Sequence, residues 1–214
     1  VMDLVVNHTS TAHAWFRGSR SSLHNEKRDF YIWRPPFKGG VPNGMRSCFS
    51  GSAWEKDEVT GEYYLHMFAR EQADLNWHNP QVRQAVYDMM RWWLDKGIDG
   101  FRMDVIDQIA KPPEILESDG GPGGDGASGP RIHEYLREMN REVLSHYDVM
   151  TVGEMGSAKV ESALRYASLD GSELSMVFQF EHMDADAGPH HKWTTEPLYL
   201  PRLKRVFEKW QVGL

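Results

Sequence analysis

Polar side chains follow three short apolar segments of this sequence, and these residues could carry chemistry. His8 follows an apolar run that begins at Met2, while Asp104 and Glu154 follow two later runs. Arg102 lies two residues before Asp104, so both side chains would share one face of a strand. A guanidinium beside a carboxylate favours its ionised form, and such a carboxylate can attack an electrophilic carbon or stabilise a developing cation.

Glu154 should differ chemically from Asp104. Met150 and Val152 precede Glu154 on the same face of the predicted strand. An apolar surrounding disfavours the charged carboxylate and would raise the pKa of Glu154 towards neutrality, which suits a general acid. One carboxylate that attacks and one that protonates are what glycosidic bond cleavage requires. Carboxylates at strand ends also form structural ion pairs with Arg or cap the next helix, so spacing alone leaves both the catalytic and the structural reading open.

Strands and helices alternate along most of the chain. Asn79-Pro80 is typical of a helix start, with an asparagine cap before a proline in the first turn. Residues 111–131 form a long segment rich in Gly and Pro, of the kind that often carries specificity. The predicted strands are 2–7, 98–105, 148–153 and 176–180, and the predicted helices are 79–97, 132–146, 158–167 and 200–212.

This alternation predicts a parallel α/β sheet, either doubly wound or part of a (β/α)8 TIM barrel. No Gly-x-Gly-x-x-Gly motif follows a strand, which favours the barrel over a dinucleotide-binding sheet. Four strands amount to about half a barrel, placed at about strands 3 to 6. We therefore predict a barrel strand at 1–8, an irregular inserted α+β subdomain at 9–75, and barrel βα units at 76–214.

The composition of the chain indicates which classes of partner and which compartment to expect. With 24 Lys and Arg against 31 Asp and Glu the net charge is −7, which disfavours nucleic acid and anionic membranes. The sequence has no apolar stretch of about 18 residues, so no membrane span is predicted. The single cysteine, Cys48, suits a reducing compartment, and we expect a cytoplasmic protein. His190 and His191 lack spaced ligand partners, so neither a metal nor another cofactor is predicted.

Four short motifs lie along the chain, in the order Asp3-Leu4-Val5-Val6-Asn7-His8, Gln72-Ala73-Asp74-Leu75-Asn76, Gly100-Phe101-Arg102-Met103-Asp104-Val105-Ile106 and Thr151-Val152-Gly153-Glu154-Met155. They resemble signatures of the α-amylase superfamily, glycoside hydrolase family 13. Within it the chain is similar to the oligo-1,6-glucosidases, dextran glucosidases and maltase-like α-glucosidases. The resemblance covers essentially the whole chain, and Ala73 replaces the proline usual in the second motif.

The resemblance implies a role for each of five residues. Asp104 would be the nucleophile, Glu154 the acid/base, and Arg102 the cation that holds Asp104 ionised. His8 would hydrogen-bond the bound glucose of a small oligosaccharide or disaccharide. The reaction would be a double displacement with net retention, with the two carboxyls about 5 to 5.5 Å apart. Val105, directly after the nucleophile, implies a preference for α-1,6 bonds.

The resemblance leaves two other functions open. Sucrose isomerases and trehalose synthases share this barrel and transfer the glucosyl unit to another sugar, and segment 111–131 could decide between transfer and hydrolysis. Heavy chains of amino acid transporters also resemble these glucosidases, although they tend to lose the catalytic carboxylates. Both Asp104 and Glu154 are present here, which favours an active enzyme.

The sequence also contains only part of the family pattern. It opens on Val1, and a later Asn-His-Asp signature, which precedes the third catalytic acid, does not appear. The first two barrel strands are missing too, and a calcium loop that some members carry would lie outside this sequence. We therefore expect an internal fragment, in which half a barrel alone would fold poorly and hydrolyse nothing.

Overall fold

The computed structural model describes residues 1–112, 129–156, 158–188 and 191–214, so most of the predicted segment 111–131 lies outside the described residues. Eleven strands and five α-helices are found in that part of the chain. In chain order they are β1 (Met2–Leu4), β2 (His8–Ser10), α1 (Ala14–Ser21), β3 (Trp33–Arg34), β4 (Trp54–Lys56), β5 (Tyr63–Leu65), β6 (Gln72–Asp74), α2 (Pro80–Leu94), β7 (Gly100–Met103), α3 (Ile132–Glu142), β8 (Met150–Glu154), α4 (Val160–Tyr166), β9 (Met176–Phe178), β10 (Ala187–Gly188), β11 (His191–Thr195) and α5 (Leu200–Gly213).

The central sheet has four parallel strands in the order β1-β7-β8-β9. Parallel neighbours need crossover connections, and α2 makes one of them between the inserted region and β7. The polar residues that follow these strands therefore lie at one edge of the sheet. This sheet and its helices form part of a (β/α)8 barrel, as the alternation of elements predicts.

Helix α2 begins where the sequence indicates. The Asn79 side chain accepts a hydrogen bond from the Gln81 N–H, and Pro80 occupies the first turn, where its missing N–H costs nothing. The helix ends at Leu94, three residues before Gly97, which adopts a positive φ of 88°. One face of the helix is buried in the main core, through Val82, Val86, Tyr87, Met90 and Leu94.

The inserted region has an architecture of its own. Strands β3, β5 and β4 form an antiparallel sheet in that order. A second apolar cluster packs against this sheet, separate from the main core under the barrel strands. It consists of Ile32, Met45, Ala53, Trp54, Leu65 and Met67. These features fit a subdomain, although the boundaries at residues 8 and 75 remain a prediction.

Several predicted elements differ in length from the observed ones. The predicted strand 2–7 ends at Leu4, and a separate strand, β2, starts at His8 because it pairs with distant β6. The predicted helix 132–146 ends at Glu142, since Val143 leaves helical geometry at φ −132° before a 3-10 turn. The hairpin of β10 and β11 was not predicted, because its first strand has only two residues.

No helix in the described ranges is both long and apolar enough to cross a bilayer.

Candidate active site at the strand ends

Strands β1 and β7 bring a charged cluster to the edge of the sheet. Asp3 and Arg102 are direct partners in the parallel register, 99 residues apart in sequence. Phe101 and Met103 point to the other face and are fully buried. The side chains of Arg102 and Asp104 are 31% and 22% exposed to solvent. Alternation along β7 thus separates a packing face from a solvent-accessible one, as predicted.

The Arg102 guanidinium contacts three carboxylates. Its Nη1 donates to Asp3 Oδ1 at 2.7 Å and to Asp104 Oδ1 at 2.8 Å, while Nη2 donates to Glu154 Oε2. Charge-assisted bonds of this kind are among the strongest side-chain contacts. A single cation therefore holds both predicted catalytic carboxylates close together at the sheet edge. Their predicted separation of about 5 to 5.5 Å remains a prediction.

Glu154 is the carboxyl whose environment favours the protonated form. Burial is the largest cause that raises its pKa above the ordinary value, and the charge of Asp104 and a hydrogen bond with it add to this. Arg102 and the Val105 N–H act in the opposite direction without cancelling the effect. The direction is the one that the apolar residues before Glu154 predict.

Val105 does not continue strand β7, so the predicted strand 98–105 is wrong at its C-terminal end. Its backbone is left-handed, at φ 36° and ψ 45°, a conformation that β-branched residues rarely adopt. The turn directs the Val105 N–H towards Glu154 Oε2 at 3.5 Å. The residue that follows Asp104 therefore contacts the partner carboxylate through its backbone.

At two glycines of the motifs, Gly100 and Gly153, there is no room for a side chain. A Cβ on Gly100 would lie 1.9 Å from the carbonyl oxygen of Met150 on the neighbouring strand. A Cβ on Gly153 would lie 2.7 Å from Leu174 Cδ1 and 2.9 Å from Ile106 Cγ2. Side chains at these positions would push β7 and β8 apart or displace the core next to Glu154.

His8 lies beside this cluster in a polar, buried position. It is 5% exposed, and its ring centroid is 5.4 Å from that of Phe68. Burial is the main cause that lowers the pKa of His8; the charges of Asp74 and Asp104 raise it, and Lys111 lowers it. His8 also lines a cavity of about 590 Å³ with Gln72. His8 therefore lies close enough to Asp104 for the charge of this carboxylate to affect the pKa of His8.

A buried ion pair next to His8 was not predicted from the sequence. Lys111 Nζ lies 2.8 Å from Asp74 Oδ2 and donates to Asn7 Oδ1 at 2.7 Å, and the side chains of Asp74 and Lys111 are 0% and 7% exposed. Asp74 Oδ1 accepts the Met67 N–H at 3.0 Å. Asp74, a charged residue within the second motif, was the sequence signal for this ion pair. Asp3, a charged residue within an apolar strand, was the sequence signal for the contact with Arg102.

Oxygen atoms of Asp74, Asn7 and Gln108 surround the ammonium group of Lys111. Lys111 Nζ donates to the Gln108 carbonyl in addition to its contacts with Asn7 and Asp74. Within the ranges that the structure describes, no group of three or more His, Cys, Asp or Glu side chains is arranged to hold a metal ion.

Comparisons with known proteins agree on one family. Residues 1–214 match the family described as "Alpha amylase, catalytic domain". An oligo-1,6-glucosidase of Parageobacillus thermoglucosidasius is 56% identical over the whole chain, which covers 39% of that protein. The crystal structure of a trehalose-6-phosphate hydrolase of Bacillus licheniformis superposes with a TM-score of 0.92 at 47% identity, with 100% of this chain and 39% of that one covered.

A further solved structure is that of an isomaltulose synthase of Protaminobacter rubrum, with a TM-score of 0.91 and 38% identity over 99% of this chain and 39% of that one. The chain thus spans about 39% of the length of these relatives. The strand-end cluster, the motifs and the family match lead to one conclusion: the chain belongs to the α-amylase family and lies within its catalytic domain.

Proposed function

We propose that the protein containing this chain is a retaining α-glucosidase that releases glucose from the non-reducing end of short α-glucosides. The observation that carries the proposal is the joint binding of Asp104 and Glu154 by Arg102, together with the raised pKa of Glu154. Arg102 contacts both carboxylates, yet burial and the charge of Asp104 still favour the protonated form of Glu154, which suits Glu154 as the general acid of glycoside hydrolysis.

The first half of the reaction uses both carboxyls at once. Asp104 attacks the anomeric carbon of the terminal glucose, and the bond from that carbon to the glycosidic oxygen breaks. Glu154 transfers its proton to this oxygen, so the shortened sugar leaves as an alcohol. General acid assistance of this kind is worth roughly 10² to 10⁴ in rate. A covalent glucosyl ester on Asp104 results.

Water completes the reaction from the same face of the sugar. The Glu154 carboxylate takes a proton from a water molecule, whose oxygen forms a bond with the anomeric carbon. The ester bond to Asp104 breaks, which restores the Asp104 carboxylate and the protonated Glu154. Two inversions give net retention at the anomeric carbon. Arg102 remains beside Asp104 and favours its departure as an anion.

We further propose that α-1,6 linkages, as in isomaltose, are preferred. Val105 motivates this proposal, since it follows Asp104 and its backbone contacts Glu154. The Val105→Thr variant tests it through the ratio of isomaltose to maltose turnover. We expect this ratio to fall, and an unchanged ratio would contradict the assignment of linkage preference to Val105.

The activity test uses the polypeptide encoded by the whole reading frame that contains this sequence. Glucose release is measured from isomaltose, maltose, sucrose and trehalose 6-phosphate, with the Asp104→Asn variant as the blank. We expect isomaltose to be the best substrate and the blank to be inactive. Preference for maltose or sucrose would overturn the linkage proposal alone. Preference for trehalose 6-phosphate would overturn the proposed substrate class. No turnover of any of the four would overturn the glucosidase proposal.

Glucosyl transfer is the alternative that a specific observation favours. The isomaltulose synthase that superposes on this chain is, by its name, an enzyme that makes a sugar. Transfer would share the ester on Asp104 but use a sugar hydroxyl instead of water in the second step. Product analysis with sucrose separates the two: glucose and fructose in equal amounts support hydrolysis, whereas an isomeric disaccharide supports transfer.

A further inference from the structure

Both ring nitrogens of His8 face side-chain amide nitrogens. Gln72 Nε2 lies 2.9 Å from His8 Nε2, and Asn7 Nδ2 lies 3.2 Å from His8 Nδ1. The pairing of β2 with β6 sets the first contact, because Asp74 is opposite His8 and Gln72 is its diagonal neighbour. An amide nitrogen can only donate, so the surroundings of His8 supply hydrogen-bond donors on two sides.

The orientation of the Gln72 amide is set by the backbone. Its Oε1 accepts the Ala69 N–H at 3.0 Å. Rotation of the amide by 180° would place the Nε2 donor against the Ala69 N–H, and that hydrogen bond would be lost. The NH₂ group of Gln72 is therefore the end that faces His8 Nε2.

The orientation of the Asn7 amide is set by Lys111. Asn7 Oδ1 accepts from the Lys111 ammonium at 2.7 Å, so the Asn7 NH₂ group faces His8 Nδ1. This NH₂ group has a second acceptor, Asp74 Oδ2, at 3.5 Å. An N–H on His8 Nδ1 is consequently tolerated better than one on Nε2, where Gln72 is closer and has no other acceptor among the contacts of the described residues.

We propose that Gln72 is a positioning residue that holds His8 as the neutral tautomer with its proton on Nδ1 and a free lone pair on Nε2. This inference rests on the proposed function for its consequence, although its geometry does not. A doubly protonated imidazole would direct an N–H against the NH₂ of Gln72 and another against that of Asn7.

The consequence concerns the charge of the transition state. Glycosidic cleavage passes through an oxocarbenium-like state with positive charge on the glucose ring. His8 lies close enough to Asp104 for that carboxylate to affect its pKa, so an imidazolium at His8 would oppose this charge. A neutral His8 instead presents Nε2 as an acceptor for a sugar hydroxyl that displaces the Gln72 donor.

Substitution of Gln72 by glutamate reverses the contact without a change in length. The Gln72→Glu carboxylate would accept an N–H from His8 Nε2 and favour the imidazolium, which raises the pKa of His8. Asp74 and Asp104 act in the same direction, while burial and Lys111 oppose it. The matched control is Gln81→Glu, the same substitution at an exposed residue of α2.

The decisive experiment is a pH titration of ¹⁵N-labelled histidine side chains by NMR in the polypeptide from the whole reading frame. The His8 signals are assigned by their loss in the His8→Asn variant. We expect Nε2 unprotonated and Nδ1 protonated in the wild type and in Gln81→Glu, with a doubly protonated ring near neutral pH in Gln72→Glu. A proton on Nε2 in the wild type, or unchanged His8 signals in Gln72→Glu, would overturn the proposal.

A kinetic measurement adds the catalytic consequence. In Gln72→Glu we expect kcat/KM to fall on the acidic side, about tenfold at one pH unit below the raised pKa of His8. The Gln81→Glu control should follow the wild-type profile. A flat acidic side in Gln72→Glu, despite a protonated His8, would overturn the catalytic consequence. If the enzyme hydrolyses no glucoside while the NMR result stands, the proposed function fails and the role of Gln72 towards His8 does not.

Discussion

Two charged clusters lie next to one another in this molecule and differ in burial. At the strand ends, Arg102 contacts Asp3, Asp104 and Glu154, and its own side chain is 31% exposed. Next to His8, Asp74 pairs with Lys111, and their side chains are 0% and 7% exposed. Accessible charges can meet a substrate, whereas a closed ion pair can only position other groups. Activity and stability should therefore depend on different clusters.

The largest expected effect is on activity at the strand ends. Asp104→Asn removes the nucleophile and should lower kcat/KM for isomaltose by about 10⁴-fold or more, as loss of a nucleophile does in other enzymes. The free energy of unfolding should change by no more than about 1 kcal/mol, because the Asp104 side chain is partly exposed and Asn keeps its shape. Kinetics and urea denaturation measure the two quantities, and a large loss of stability would contradict the assignment of Asp104 to catalysis.

The buried cluster should show the opposite behaviour. Lys111→Met leaves Asp74 charged and unpaired in the interior, which should cost about 3 to 5 kcal/mol of unfolding free energy. Lys56 forms a surface pair with Glu58, so Lys56→Met is the matched control, with an expected cost of at most about 1 kcal/mol. Equal effects of the two substitutions, measured by urea denaturation, would show that burial of the Asp74 pair is energetically unimportant.

A double substitution sharpens this comparison. Asp74→Asn keeps an acceptor for the Met67 N–H but removes the buried charge. Combined with Lys111→Met, it should recover more than half of the stability that Lys111→Met alone loses. A double variant as unstable as Lys111→Met would mean that the packing of the lysine stem, and not its charge, stabilises this region.

The titration of Glu154 tests the coupling within the strand-end cluster. Asp104 raises the pKa of Glu154 through its charge and a hydrogen bond. Asp104→Asn removes the charge, so the pKa of Glu154 should decrease while burial still keeps it from reaching an unperturbed value. Carbon-13 NMR of labelled glutamates, recorded over a range of pH, measures the pKa of Glu154 in both proteins. An unchanged pKa would mean that the two carboxyls do not interact.

In the wild type, Glu154 must be protonated to act as a general acid. Activity should therefore be lost as the pH rises through the raised pKa of Glu154, and this loss forms the alkaline limb of the kcat/KM profile.

The smallest expected effect concerns the left-handed turn. Val105→Gly removes a β-branched side chain from φ 36°, so relief of strain should offset the entropy of glycine and leave the unfolding free energy within about 0.5 kcal/mol of wild type. Val59 is exposed and has no positive φ, and Val59→Gly should cost about 0.5 to 1 kcal/mol. A greater loss of unfolding free energy in Val105→Gly than in Val59→Gly would contradict the claim that the Val105 backbone is strained.

The places of Arg102, Asp104 and Glu154 at strand ends were predictable because their signals are local, whereas the contact of Arg102 with Asp3, 99 residues away, was not predicted. An apolar run followed by a polar residue indicates a buried parallel strand and its carboxyl end, and this pattern holds at Asp104 and Glu154. Alternation within β7 correctly places Arg102 and Asp104 on one face. The same alternation fails at Val105, because the left-handed turn is imposed by tertiary contacts against the preference of a β-branched residue.

The buried cluster was much harder to predict because its contacts are long-range. Gln72 and His8 are 64 residues apart, and Lys111 and Asn7 are 104 apart. The pairing of β2 with β6 brings Gln72 next to His8, and β2 begins only after the predicted strand 2–7 has ended. A local pattern contains no record of which short strand pairs with which, so the surroundings of His8 could not be read from spacing.

Covalent trapping tests the central claim most directly. The complete polypeptide is incubated with 5-fluoro-α-glucosyl fluoride, which forms the glucosyl ester faster than water cleaves it, and the labelled peptide is identified by mass spectrometry. We expect one sugar on the peptide that contains Asp104, and none in the Asp104→Asn variant. A sugar attached to any other residue, or an enzyme that turns over glucosides and is never labelled, would contradict Asp104 as the nucleophile of a retaining mechanism.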